Sequence, residues 1–148
     1  MTTRFVVAAL LGGMLLVPPA AAEPPAVFVA TMFGSYKTMD QWARNYDPCK
    51  EFCTEDFDKL LKAARAKKLI DYDPICQCQK GGDNYMMFSG SQGATDSDYR
   101  ATVKKVGKPG MWVLDLQWVN GGWLIRDVVE TRNGKPVSLR QRLAAAGA

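Results

Sequence analysis

Four cysteines arranged in two close pairs limit what this chain can fold into more than any other feature. Cys49 and Cys53 form a Cys-x₃-Cys motif, and Cys76 and Cys78 form a Cys-x-Cys motif. An even number of cysteines in a small exported chain is typical of a disulfide framework that supplements a modest hydrophobic core. The sequence therefore predicts two disulfide bonds within one small domain, if the chain is exported.

The first residues predict that export. Arg4 precedes the apolar stretch Phe5–Val17, and two prolines and the run Ala20–Ala22 follow it. This order is typical of a secretory signal with an Ala-x-Ala cleavage site. The apolar stretch is shorter than the roughly 20 residues that span a bilayer, which favours cleavage over anchoring. We expect residues 1–22 to be a cleaved signal peptide and residues 23–148 to form a single periplasmic or secreted domain.

Composition narrows the function classes. Histidine is absent, which removes the commonest general base, the Ser-His-Asp triad and imidazole metal ligands. The formal net charge is +4, with one of those charges on Arg4, and the basic residues are interspersed with acids rather than clustered. Such a pattern does not predict nucleic-acid binding. No second apolar run is long enough to cross a membrane. We therefore expect a non-enzymatic protein with no cofactor, no nucleic-acid partner and no membrane span after cleavage.

Two amphipathic helices are predicted in the first half of the mature chain. The first has apolar residues at positions i, i+3, i+4 and i+7, namely Val29, Met32, Phe33 and Tyr36. The second begins after Thr54, a predicted N-cap, with acidic residues in its first turn and basic residues in its later turns. Its predicted buried side consists of Cys53, Phe57, Leu60, Leu61 and Ala64.

The second half of the chain predicts strands and turns. The predicted strands are Tyr85–Phe88, a stretch alternating from Tyr99 to Val103, a second from Trp112 to Trp118, and a return strand from Trp123 to Val129. Asn120-Gly121 and Asn133-Gly134 predict tight turns, and Ser138 is predicted to cap a closing helix. The order of elements predicts an α+β fold, with N-terminal helices packed on a curved antiparallel sheet and a short C-terminal helix.

The pairing of the four cysteines has three solutions. Pairing each cysteine with its close neighbour would close very small rings, so we expect links between the two motifs. Nested pairing, Cys49 with Cys78 and Cys53 with Cys76, suits antiparallel segments and is favoured, while crossed pairing stays open. Either pairing would hold the polar loop of residues 71–84 against the second helix.

Metal binding is the alternative role for these sulfur atoms. The Cys-x₃-Cys and Cys-x-Cys spacings differ from the usual Cys-x₂-Cys of zinc sites. Reduced thiols beside Met86 and Met87 would suit Cu(I), because soft sulfur ligands favour that ion. In an exported chain, structural disulfides are the favoured interpretation.

Several motifs also occur together in a familiar order. They are Asp71-Tyr-Asp-Pro74, Gln77 and Gln79, the strand-turn-strand from Trp112 to Val128 that ends in Gly122-Trp-Leu-Ile-Arg-Asp-Val128, and Ser138-Leu-Arg-Gln-Arg-Leu143. From Ala26 to Leu143 the chain resembles the domain-of-unknown-function family 3828 of exported bacterial proteins and lipoproteins. It is more widely similar to cystatin-like and nuclear-transport-factor-2-like (NTF2-like) domains. The resemblance implies a cone-shaped sheet that often encloses an apolar pocket. It transfers no catalytic residue, and the cysteines do not belong to the pattern.

The leading functional prediction is an exported, non-catalytic binding domain of the bacterial cell envelope. It would bind a small apolar ligand in the concavity of the sheet or a protein partner at its rim, as an inhibitor or immunity protein does. The ligand-binding residues are not identifiable from the sequence. One alternative is a small enzyme for proton transfer or hydrolysis, using a pocket carboxylate with a raised pKa beside a phenol. The resemblance suggests Asp115, Asp127, Tyr85 and Tyr99 for those roles. The other alternative is copper or zinc handling through the four cysteines.

Overall fold

A computed structural model shows one antiparallel sheet with helices on one of its faces. It describes residues 23–38, 47–78, 86–107 and 109–148, so the predicted signal peptide lies outside the described residues. The helices are α1 (Pro25–Thr38), α2 (Pro48–Phe52), α3 (Glu55–Ala66) and α4 (Leu139–Ala145). The strands are β1 (Met86–Gln92), β2 (Asp98–Lys105), β3 (Met111–Val119), β4 (Gly122–Arg132) and β5 (Lys135–Ser138). The strands pair in chain order, each antiparallel to the next, which confirms the predicted α+β class.

The helices bury the faces that their apolar spacing predicts. In α1, Val29, Met32 and Phe33 are buried, whereas the side chain of Tyr36 lies outside the described part of the structure. In α3, the predicted residues Cys53, Phe57, Leu61 and Ala64 are buried and Leu60 is half-buried. Among the described residues, no helix is long and apolar enough to cross a bilayer.

Thr54 stands at the N-cap position of α3, but it does not cap the helix with its side chain. Its backbone N–H instead donates to the carbonyl of Ile125 in β4, at 2.9 Å. The residue before it, Cys53, forms a parallel bridge with the same strand residue. The start of α3 is therefore fixed by the sheet rather than by a side-chain cap.

Alternation along the strands supplies the other half of the core. The inward-facing buried residues are Ala101, Val103, Trp112, Leu114, Leu116, Trp123, Ile125 and Val128. Both predicted turns are confirmed: Asn120-Gly121 and Asn133-Gly134 have positive φ at both residues, as the common two-residue hairpin turn requires. Strand β5 was not predicted, because it is only four residues long and contains Pro136, which lacks a ladder donor.

The favoured nested pairing of the cysteines is wrong. Cys49 pairs with Cys53 and Cys76 pairs with Cys78, with Cα–Cα distances of 4.7 Å and 5.3 Å. Each motif therefore closes on itself. The first link joins the start of α2 to the residue that follows it, and the second lies within the turn that runs from Asp73 to Cys78.

The position of the two motifs on the sheet explains this correction. Cys53 is bridged to Ile125, near the middle of β4. The carbonyl of Ile75 accepts a hydrogen bond of 2.9 Å from the indole N–H of Trp112, which pairs with Glu130 at the far end of β4. Five strand residues span roughly 16 Å. Cysteines that are more than about 7 Å apart at Cα cannot be bridged without moving the backbone.

Candidate functional site

The sheet has a covered face and an open face. Buried residues of the helices form one cluster with the inward-facing strand residues, so the helices lie on that side. Alternate residues point to the other side, which we call the open face. Its members include Met87, Ser89, Ser91, Arg100, Thr102, Lys104, Met111, Val113, Val129 and Thr131, none of which is buried.

Exposed apolar side chains gather at one end of the open face. Met87 pairs with Lys104, and Lys104 pairs with Met111, which makes a cross-strand row. Met87 and Met111 are 63% and 57% exposed, and Val106, just past Lys104, is 52% exposed. The other strongly exposed large apolar residue in the described chain is Val27, on α1. Clustered exposed apolar groups mark interaction sites more often than scattered ones do. We call this feature the Met87–Lys104–Met111 row.

An ion-pair cluster, the Arg126 cluster, occupies the other end of the open face. A β-bulge beside Asp115 lets the Arg126 side chain reach two neighbouring strands. Its guanidinium lies 2.6 Å from a carboxylate oxygen of Asp98 and 3.1 Å and 3.3 Å from those of Asp115. The hydrogen bonds to Asp115 raise the pKa of Arg126. The hydroxyl of Thr95, at 2.7 Å, and then Arg126 lower the pKa of Asp98. Asp98 is thus held ionised.

Asp127, a predicted catalytic candidate, has a structural role. Its carboxylate accepts hydrogen bonds from the Ser138 hydroxyl and from the backbone N–H of Arg140, the latter at 2.9 Å. The Ser138 hydroxyl also accepts from the N–H of Gln141 at 3.1 Å, which confirms the predicted N-cap of α4. Asp127 therefore anchors the start of α4 to β4 and has little capacity left for chemistry.

A second polar cluster, the Glu130 cluster, lies on the covered side. Glu130 is only 5% exposed, although it is charged. It accepts hydrogen bonds from the Tyr72 hydroxyl, from Gln77 at 3.2 Å and from Arg132 at 3.0 Å. Arg142 donates to the Tyr72 oxygen at 3.2 Å and lies 3.6 Å from Glu130. A buried carboxylate is thus surrounded by one phenol, one amide and two guanidinium groups.

The electrostatics of this cluster do not match general acid–base catalysis. Burial, with help from the hydrogen bond to Glu130, raises the pKa of Tyr72 to about 12. Burial alone would raise the pKa of Glu130, but the hydrogen bonds from Tyr72, Gln77 and Arg132 outweigh it and lower that pKa. A proton-transfer pair needs pKa values moved toward neutrality. Here both move away from it, so the cluster is suited to holding elements together.

The predicted catalytic candidates do not converge. Asp115 belongs to the Arg126 cluster on the open face. Tyr99 lies on the covered face, where its ring is 6.2 Å from that of Trp123, centroid to centroid. Tyr85 lies outside the described residues. Asp115 and Tyr99 therefore cannot act as one carboxylate–phenol pair.

Sequence reasoning missed Glu130 and Tyr72 as a pair. Glu130 follows Val128 by two residues, so the strand alternation points it inward. The predicted return strand ends at Val129, so it does not include Glu130 and does not reveal that a charged residue occupies an inward-facing strand position. Tyr72 stands in the polar loop of residues 71–84, where no local pattern marks it as a partner of a strand residue. A charged residue at an inward strand position was the available clue, because buried charges require partners.

No metal site is formed by the cysteines as they stand. All four sulfur atoms are paired, so none offers a thiolate ligand. Within the described ranges, no group of three or more His, Cys, Asp or Glu side chains is placed to hold an ion. Metal handling would require prior reduction of at least one cysteine pair.

Comparison of the chain with protein-family models, with curated proteins and with solved structures found no match. The resemblance to the domain-of-unknown-function family 3828 stays a prediction. The function must therefore be argued from the surface of this chain alone.

Proposed function

We propose that this protein is an exported, non-catalytic binding domain of the bacterial cell envelope that holds a protein partner on the open face of its sheet. The Met87–Lys104–Met111 row is the observation that carries the proposal. Two large apolar side chains remain in water on either side of a cation, at a position where strand alternation would accept polar residues. Methionine is enriched in protein interfaces, where its flexible side chain adapts to a partner.

The envelope assignment is supported by the cysteines and the N-terminus. Disulfides persist in oxidising compartments and are rare in the cytosol. Two cysteine pairs at disulfide distance fit that environment, and the predicted signal peptide would deliver the chain there. Membership of the domain-of-unknown-function family 3828 is part of this proposal, since that family consists of exported bacterial proteins.

A protein partner is favoured over a small apolar ligand in the concavity of the sheet. In the described part of the chain, side chains from both layers fill the space between helices and sheet. The largest of those with essentially no exposure include Met32, Phe57, Leu61, Ile75, Leu114, Leu116 and Ile125. A ligand would have to displace this packing, whereas a partner on the open face displaces only water.

Charge indicates the chemistry of the partner. Lys104 is the only charged residue of its row, and an acidic group opposite it would give electrostatic complementarity. The partner should therefore present apolar side chains around at least one carboxylate. An envelope enzyme inhibited or protected by this domain would fit that description.

Site-specific photo-crosslinking in the producing cells tests the proposal. A photoreactive amino acid at Met111 should trap one protein of defined mass, because that side chain lies in the proposed interface. The matched control is the same substitution at Val27, which is 46% exposed but lies on α1. The Val27 variant should give no such adduct.

Charge reversal sharpens the test. Lys104→Glu should reduce the Met111 adduct by about tenfold or more, as expected when like charges meet in an interface. Lys50→Glu, on the exposed side of α2, should leave it unchanged. Adducts of equal yield from Met111 and Val27, or none from Met111, would contradict the proposal.

A further inference from the structure

The two edges of the sheet differ in how they are protected. Strand β1 is seven residues long, contains neither charge nor proline, and pairs only with β2 among the described strands. Its last four residues, Ser89–Gln92, are all exposed. An unpaired edge of this kind presents backbone donors and acceptors that another strand can use.

The opposite edge carries the usual protection. Strand β5 has only four residues, including Lys135 and Pro136, and α4 begins at the next residue. Short length, lysine and proline are the devices that block further strand pairing. Strand β1 has none of these features, so its edge is open to pairing with another strand while the edge at β5 is not.

The covered face is incompletely closed beside β1. Met86 and Phe88 point toward the core side but are only half-buried. Tyr99 lies across Gly90, where a Cβ atom would come within 1.7 Å of the Tyr99 hydroxyl oxygen. Apolar side chains thus extend to the edge of the sheet, and a further strand would bury them.

We propose that two copies of this chain pair antiparallel through β1 and form a dimer with one continuous ten-stranded sheet. A two-fold axis at Ser89 pairs all seven residues of β1 with β1 of the second copy. It sets Met86 opposite Gln92 of the second copy, and Phe88 opposite Gly90 of the second copy. The Tyr99 ring of that copy already gives Gly90 the aromatic cover that glycines in strands commonly receive. The Phe88 ring would therefore pack against the edge of Tyr99 rather than over the glycine.

A second copy fits β1 because the strand is uncharged and can face itself. Like charges directly opposite each other destabilise a strand pair, and none occurs in this register. The nearest cations of the open face, Arg100 and Lys104, would stand three strand spacings from those of the second copy. That separation is about 14 Å, beyond the screening length of roughly 8 Å at physiological salt. Closed two-fold dimers are also the commonest assembly.

The dimer does not depend on the proposed partner. Met87 and Met111 project from the open face, not from the edge, so the Met87–Lys104–Met111 row stays available after pairing. Two rows would then face the same side of the extended sheet. Failure of the crosslinking test would leave the dimer untouched, and the reverse also holds.

Sedimentation equilibrium of the exported protein, from about 10 µM to about 1 mM, tests the inference. An interface this narrow should give weak, concentration-dependent dimers at neutral pH. Ser89→Lys places two cations face to face at the axis and should weaken dimerisation at least tenfold. Thr102→Lys is the matched control, because Thr102 pairs with Ser89 on the open face but lies one strand inside the edge. It should not change the dimer.

Mixing two oppositely charged variants should restore the dimerisation that each variant loses alone. Ser89→Lys and Ser89→Glu should each be monomeric, whereas a one-to-one mixture should form a heterodimer through opposite charges at the axis. Unchanged thermal unfolding of the monomers would show that the variants fold. A wild-type protein that stays monomeric at about 1 mM would overturn the inference. So would a dimer that Ser89→Lys and Thr102→Lys weaken equally.

Discussion

The two ion-pair clusters use the same chemistry but join different parts of the molecule. In the Glu130 cluster, the partners of the carboxylate include Tyr72 and Gln77, which lie 58 and 53 residues away in the chain. The Arg126 cluster joins β2, β3 and β4, which the backbone ladder already holds together. The first cluster is therefore the stronger constraint on the fold, because it ties the loop and α4 to the sheet.

Their surroundings differ as well. The Glu130 side chain, beneath a loop on the covered side, is 6% exposed, whereas those of Asp98 and Asp115 on the open face are 12% and 13% exposed. Loss of the Glu130 carboxylate is expensive because donors that point at it, from Tyr72 and Gln77, would lose a buried acceptor. Loss of Arg126 costs less, because Asp98 keeps its hydrogen bond from Thr95 and Asp115 keeps Arg100 at 3.9 Å. Removing the central residue of each cluster should therefore have unequal effects on stability.

The largest effect is expected for Glu130→Gln. The amide keeps the shape but puts an NH₂ group in place of one acceptor oxygen, opposite donors from Tyr72, Gln77 and Arg132, which should lower the free energy of unfolding by about 3 kcal/mol. Urea unfolding followed by tryptophan fluorescence measures it. Glu55→Gln is the control, because the Glu55 side chain is 82% exposed and its ion pair is with Lys59, one turn along α3. It should change stability by less than about 0.5 kcal/mol.

If Glu130→Gln lowered the free energy of unfolding no more than Glu55→Gln does, the Glu130 cluster would not be the stronger constraint on the fold. That result would mean that water reaches the carboxylate and that the loop packs loosely over it. The hydrogen bond from Trp112 to the Ile75 carbonyl would then be the main tie between loop and sheet.

The sequence predicts more of the fold than of either ion-pair cluster. Alternation along β3 and β4 and the two Asn-Gly turns depend on local chemistry, and each appears in the sequence without knowledge of the rest. The Glu130 cluster depends on which loop covers the end of β4. That is a long-range outcome of packing, so no local pattern near Tyr72 or Glu130 reveals the partner.

The pairing of the cysteines also could not be predicted from local sequence. Spacing alone disfavoured links within Cys49–Cys53 and Cys76–Cys78, because small rings are restrictive. In the structure the two motifs contact different residues of the sheet: Cys53 is bridged to Ile125, and the carbonyl of Ile75 accepts from the indole of Trp112. Only the tertiary arrangement contains that information.

The second largest effect is expected for Tyr72→Phe. The substitution removes the hydroxyl that donates to Glu130 and accepts from Arg142, and a buried hydrogen bond contributes about 1.5 kcal/mol when one partner is charged. Combining it with Glu130→Gln in a double-mutant cycle should show coupling, so the two losses should not add. Strict additivity would indicate that the phenol and the carboxylate act independently.

Acid should weaken the Glu130 cluster by protonating its carboxylate. Its folded-state pKa is lower than its ordinary value of 4.5, so ionised Glu130 stabilises the fold above about pH 4.5. That contribution is lost as the pH falls through the folded-state pKa. The stability difference between the wild type and Glu130→Gln should therefore be constant near neutrality and shrink below pH 4.5. Urea unfolding between pH 7 and pH 3 measures it, and a difference that stays constant throughout would contradict the role of the charge.

The smallest effect is expected for Arg126→Gln. It leaves the carboxylates of Asp98 and Asp115 side by side, but Thr95 still donates to Asp98 and Arg100 still lies 3.9 Å from Asp115. The loss should be about 1 kcal/mol or less at low salt, and smaller at about 1 M salt. The deficit of Glu130→Gln should respond less to salt, because it arises from hydrogen bonds to a carboxylate that is only 6% exposed. Equal salt dependence of the two variants would mean that both clusters are open to solvent, and the distinction between a fold-holding and a surface cluster would fail.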